Sequence, residues 1–161
     1  MTELATMAEA LGTLLKERKE TIGVAESSTG GLISAALLAV PGASAYFLGG
    51  GVVYTQVARR SLLQVPDAAL TGMRSSTEAY ALLKARAIRQ LLGATWGLAE
   101  TGASGPTGNR YGDAAGHTCI AVTGPREQAI TLETGHGDRE RNMWAFARAA
   151  LDLLETSLRT R

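Results

Sequence analysis

Apolar residues recur every three to four positions over 3–19, where Leu4, Met7, Ala8, Leu11, Leu14 and Leu15 fall on one stripe. That period predicts an amphipathic helix. The pattern then shortens. Residues 21–26 form an apolar run that predicts a buried strand, and 29–39 predict a helix stopped by Val40-Pro41-Gly42. A β-rich run over 46–54 is interrupted by Gly49-Gly50-Gly51. Three glycines are costly inside a strand, so they predict a bulge or a close backbone approach. A helix is predicted over 56–63.

Ser75-Ser76-Thr77-Glu78 has the spacing of a capping box, with Ser75 as the N-cap. The helix it opens extends to about residue 92, with Ala79, Leu83, Ala87 and Leu91 along one stripe, and Gly93 stops it. A strand is predicted over 95–101, followed by a glycine-rich loop over 102–116. Strands over 117–123 and 127–133, joined around Gly124-Pro125, lead to a last helix capped by Asp138. Its stripe is Met143, Ala147, Ala150, Leu151, Leu154 and Leu158. Helices and strands alternate early and a strand pair comes late. This predicts an α/β fold, a three-layer α/β/α sandwich with a mixed sheet, and sites where strands end and helices begin.

Composition narrows the function classes. The 161 residues fit one domain, 1–161, with no repeat or linker. A net charge of +1, with basic residues scattered, gives no field for nucleic acid. The longest apolar stretch, 32–40, is too short to span a membrane. The N-terminus carries charges at helical spacing in place of a signal peptide's apolar run. The single cysteine, Cys119, reads as a buried structural thiol, and a cytoplasmic protein is expected. His117 and His136 are the only histidines, which makes a poor case for a metal site. Arginine dominates the basic residues: only Lys16, Lys19 and Lys84 are lysines.

Four stretches could carry chemistry. Glu26-Ser27-Ser28-Thr29-Gly30-Gly31 joins a strand to a helix, where unpaired N–H groups suit a phosphate or an oxyanion; plain helix capping explains the same residues. Tyr54 ends a strand and could orient a substrate, or be a half-buried aromatic. In the loop 102–109, Asn109, with the following Arg110 and Asp113, could meet a polar ligand, or the loop could be a surface turn. Arg139 and Arg141 open the last helix, as anion ligands or as solvated charges.

The order and spacing of these stretches carry more than each alone. V-A-E-S-S-T-G-G at 24–31, P-G-A-S at 41–44, G-G-V-V-Y-T at 50–55, T-G-A-S-G-P at 101–106, A-G-H-T at 115–118 and G-D-R at 137–139 resemble the CinA C-terminal domain family. That family includes stand-alone nicotinamide-nucleotide amidohydrolases of the PncC type, and the resemblance covers nearly the whole chain. It implies a homo-oligomer, a small-molecule nucleotide as partner and no cofactor or metal. It implies hydrolysis of the carboxamide of nicotinamide mononucleotide to nicotinate mononucleotide and ammonia. It places Ser27 as nucleophile and Tyr54 beside it, with Arg59 where the family has its general-base lysine. Glu26, Ser28, Thr29, Gly30, Gly31, Ser44, Gly102, Ser104, Gly105 and Arg139 are implied to bind substrate, and N–H groups of 28–31 to hold the oxyanion.

The departures matter. The family's Y-S-N-E-A-K segment is Tyr54-Thr55-Gln56-Val57-Ala58-Arg59 here, and a family arginine is Met143. A guanidinium stays charged and is a very poor base. Lys16 and Lys19 belong to the first helix and Lys84 to the helix after the capping box, so none obviously replaces it. Either another group, such as Glu26 or a histidine, is the base, or the chain is a catalytically impaired paralogue that binds a nucleotide or a protein partner.

Overall fold

The computed structural model describes residues 3–160. Its elements are α1 (Glu3–Arg18), β1 (Ile22–Glu26), α2 (Leu32–Leu38), β2 (Phe47–Val52), α3 (Gln56–Leu62), α4 (Glu78–Leu92), β3 (Trp96–Ala103), β4 (His117–Thr123), β5 (Gln128–Glu133) and α5 (Arg139–Arg159). Short 3-10 turns occupy Ala43–Ala45 and Asp67–Leu70. The strand order is β2-β1-β3-β4-β5. β1 is parallel to β2 and β3, and β3, β4 and β5 are antiparallel in turn. The mixed sheet between helical layers is the α/β architecture that the alternation predicts.

The two faces of the sheet differ in side-chain size. On one, Ile22, Val24, Trp96, Leu98, Ile120 and Val122 pack against α1, α2 and α5. On the other, Ala25, Ala99, Cys119 and Ala121 meet Ala81, Ala85 and Ile88 of α4. Small residues let α4 press close. A Cβ on Gly97 would sit 2.2 Å from the Ala85 carbonyl oxygen. Cys119 is buried here, free, and burial pushes its thiol pKa up.

Several boundaries differ from the sequence expectation, each for a local reason. α2 begins at Leu32 and not at 29, because Gly30 and Gly31 have φ of 63° and 105°, outside the helical region. The capping box does not form at Ser75. Ser76 takes a φ of 59°, and Thr77 becomes the N-cap, accepting from the Tyr80 amide at 3.2 Å. Glu78 instead accepts from the Thr131 hydroxyl at 2.6 Å. The buried stripe of α4 is Tyr80, Ala81, Lys84, Ala85 and Ile88, rotated from the expected one, and Ala79 and Leu91 are exposed. In β2, Leu48 is the extra residue where the register with β1 shifts, just before the glycines. Gly50 has no room for a side chain: a Cβ would meet Ser34 Oγ at 2.6 Å. Asp138 caps α5 as expected, accepting from the Arg141 amide at 3.2 Å.

Candidate active site

β1 and β3 run side by side, so their C-terminal ends deliver Glu26 and Glu100 to one place. Both are buried to 1% exposure or less. Glu26 Oε1 accepts from the Thr29 hydroxyl (2.7 Å) and the Gly31 and Ile33 amides (3.0 Å each), and Oε2 from the Ser34 amide (2.8 Å). Glu100 Oε1 accepts from the amides of Ser27 (2.9 Å) and Thr29 (3.0 Å). Its Oε2 accepts from the Ser28 and Thr118 hydroxyls. The two carboxyl groups thus take the donors that a strand-to-helix turn leaves unpaired.

This corrects the expected oxyanion site. The Gly30 amide donates to Ser27 O at 3.1 Å, so 27, 29, 30 and 31 are all engaged. Among the described amides of 27–31, only that of Ser28 makes no hydrogen bond within the chain. Gly30 and Gly31 serve the turn and do not line the cavity described next. Glu26, its oxygens occupied, is no free base.

The turn separates its three hydroxyls. Ser28 and Thr29 are fastened to the carboxyl groups. Ser27 instead opens on a cavity of about 500 Å³ whose wall includes Tyr54, Gln56, Ser76, Tyr80, Lys84, Thr101, Gly102, Asn109, Arg110 and Tyr111. Lys84 projects from the buried stripe of α4. Its Nζ donates to the Glu100 backbone carbonyl at 3.1 Å and lies 5.6 Å from the Tyr80 ring centroid. Burial pushes its pKa down to about 8, against the opposing fields of Glu100 and Glu26. An amine in that range can both take and return a proton. The sequence reading passed Lys84 over; its signal was the four-residue spacing of Tyr80, Lys84 and Ile88 beside Ala81 and Ala85.

Arg59 is not part of the cavity wall. It is buried, its Nη2 pairs with Asp67, and its Nε and Nη1 have no partner. Tyr54 lines the rim, 58% exposed, and its hydroxyl accepts from Arg139 Nη2 at 3.3 Å. Arg139 also donates to the Gly105 carbonyl and stands outside the wall. Ser104 is buried outside it, its hydroxyl without a partner and its carbonyl accepting from Asn142 at 2.8 Å. A Cβ on Gly105 would meet the Gly137 carbonyl at 2.5 Å, so this glycine seats the loop against the start of α5. Ser44, exposed in the turn before β2, lies at the opposite end of the sheet. Asp113 is spent on Arg74 and Asn109. Among the described residues no three His, Cys, Asp or Glu side chains gather for a metal, and no helix is long and apolar enough to cross a membrane.

Fold and site define an α/β/α protein with a serine and a buried lysine walling one cleft at the ends of parallel strands. The family model for the CinA C-terminal domain matches residues 4–158. The chain is 36% identical over 156 residues to a CinA-like protein of Synechococcus sp., covering 95% of this chain and 37% of that protein. It is 37% identical over 147 residues to a CinA-like protein of Salinibacter ruber, covering 91% and 36%. It therefore spans little more than a third of the length of these relatives. Among solved structures, a competence-damaged protein (CinA) superfamily protein of Klebsiella pneumoniae superposes with a TM-score of 0.91 at 27% identity, covering 99% of this chain and 100% of the other. The competence/damage inducible protein CihA of Agrobacterium tumefaciens gives 0.88 at 28%, covering 97% and 96%. The chain belongs to the CinA C-terminal domain family.

Proposed function

We propose that this protein hydrolyses the carboxamide of nicotinamide mononucleotide, with Ser27 as nucleophile and Lys84, not Arg59, as the base. The observation that carries the reading is that Ser27 and a buried amine with a pKa of about 8 wall the same cavity. Neutral Lys84 takes the Ser27 proton as Oγ bonds to the carboxamide carbon. The new Lys84 ammonium, on the same cavity wall, offsets the charge of the negative oxygen. The ammonium then gives its proton to the departing nitrogen as the C–N bond breaks and ammonia leaves. Water attacks the acyl-serine with Lys84 again taking a proton, the C–Oγ bond breaks, and Oγ is reprotonated. Arg110 on the cavity wall supplies donors for the nucleotide phosphate, on a loop that Asn109 holds through Asp113.

Ammonia release from nicotinamide mononucleotide, followed with Ser27→Ala and Lys84→Met, tests this reading. Release by the wild type that both variants lose supports it; release unaffected by either variant removes it. Arg59→Lys should give no gain, since Arg59 stands outside the cavity wall. One observation favours a second reading, a nucleotide-binding protein without turnover: the amides expected at an oxyanion site are engaged with Glu26, Glu100 and Ser27. Calorimetric binding of the mononucleotide without ammonia release would select that reading.

A further inference from the structure

His117 opens β4 beneath the loop that walls the cavity, and both of its ring nitrogens face acceptors. Nδ1 sits against Glu133 Oε1 on β5, and Nε2 lies 2.8 Å from the Ser76 backbone carbonyl. Asp113 Oδ2 is a further 3.6 Å contact to Nε2. A carbonyl only accepts, and so does an ionised carboxylate. A neutral imidazole has one N–H and can satisfy only one of the two. The imidazolium satisfies both.

The residue it grips is part of the cavity wall. Ser76 is buried and holds a φ of 59°, a conformation that serine keeps only where its surroundings enforce it. Its amide donates to Thr101 Oγ1 at 3.2 Å, and its carbonyl takes the His117 Nε2–H. The strap between Arg74 and α4 is therefore pinned from β3 through its N–H and from β4 through its C=O. Ser76 and Thr101 both line the cavity.

We propose that His117 is a cationic positioning residue that holds the Ser75–Ser76 wall of the cavity and couples ligand affinity to pH. This rests on the cavity being the nucleotide site. The charged and titratable groups around the ring act together. Glu133 faces it from β5, and Asp113 from the loop with Arg74 attached to it. Glu78 of α4 reaches Thr131, which touches Cys119 beside the ring. Burial alone would lower the His117 pKa, but the hydrogen bonds to Glu133 and Ser76 and the fields of Asp113 and Glu133 raise it above 6.5. Deprotonation at higher pH leaves the remaining proton on Nδ1, against the Glu133 carboxylate, and sets the Nε2 lone pair against the Ser76 carbonyl. That carbonyl then keeps only the longer Cys119 Sγ contact at 3.5 Å, and Ser76 holds its enforced conformation less firmly.

Nitrogen-15 NMR of the wild-type protein, with calorimetric titration of the product nicotinate mononucleotide across pH, tests this. At about pH 6 both ring nitrogens should carry protons. As the ring titrates, the Ser76 and Thr101 amide signals should move with it, and affinity should fall by about fivefold or more. His117→Gln should remove the part of the pH dependence that follows the ring, leaving only that of Lys84 around pH 8. A neutral ring at about pH 6, or Ser76 and Thr101 signals that ignore the titration, overturns the inference. So does mononucleotide affinity that stays constant through it. Absence of any mononucleotide binding overturns the proposed function instead, and the ring and amide signals then decide the role of His117 by themselves.

Discussion

Arg59 and Lys84 are both 1% exposed, on helices that pack on the same side of the sheet, and they differ in every respect that matters for chemistry. Arg59 carries a guanidinium, a very poor base, leans on the carboxylate of Asp67, and is not part of the cavity wall. Lys84 lies on a backbone carbonyl, borders the cavity, and has its charged form penalised by burial. A buried cation that cannot titrate is a structural group. One that can titrate beside a nucleophile is a candidate base. The comparison shows why the position that resembles the family's lysine can hold arginine while an amine remains within the site.

The largest expected effect breaks the comparison on the Lys84 side. Lys84→Met should lower kcat for ammonia release by about 10²–10⁴. It should leave the melting temperature unchanged or raised, since an apolar side chain of similar size replaces a buried charge. In the wild type, kcat/KM should rise with pH through about 8, as the amine loses its proton, and the variant should lose that limb. The same shift has a stability sign. The folded pKa lies below the ordinary 10.5, so the unfolded chain binds more protons in between, and stability should climb from about pH 8 to 10.5 in chemical denaturation.

Gly97→Ala comes next. Its Cβ would meet the Ala85 carbonyl, and overpacking of this kind costs about 1–3 kcal/mol by denaturant titration. It should also depress kcat, because α4 carries Lys84. Asp67→Ala sharpens the Arg59 side. It removes the one partner of a buried guanidinium, a partner that Arg60 shares, so denaturant titration should show lower stability, with kcat unchanged. The smallest effect is that of Arg59→Lys, for which steady-state kinetics should show kcat within about threefold of wild type.

Periodicity alone marked most elements, because α1, β1, β4 and α5 have long or fully buried patterns that no loop mimics. The start of α4 was misjudged for a backbone reason: the left-handed turn at Ser76 moves the cap two residues on, and nothing in Ser75-Ser76-Thr77-Glu78 announces it. The stripe through Leu83 and Leu91 lies one position off the buried face, which carries Tyr80, Lys84 and Ile88, because packing of α4 on the small residues of the sheet sets its rotation. Motif order singled out Ser27 and Tyr54, and the structure brings both to one cavity wall. The occupation of the turn amides was not legible, because it needs Glu100, which β3 brings from more than seventy residues away.

Cys119 gives the molecule a practical property. Buried behind α4 with a thiol pKa pushed up, the chain's single cysteine should be slow toward thiol-directed reagents. A cysteine introduced at Val57, 66% exposed on the helix that follows Tyr54, would then accept a fluorophore with no competing site. Emission from that one dye would report ligand arrival at the rim in real time, without stripping the native thiol from the core.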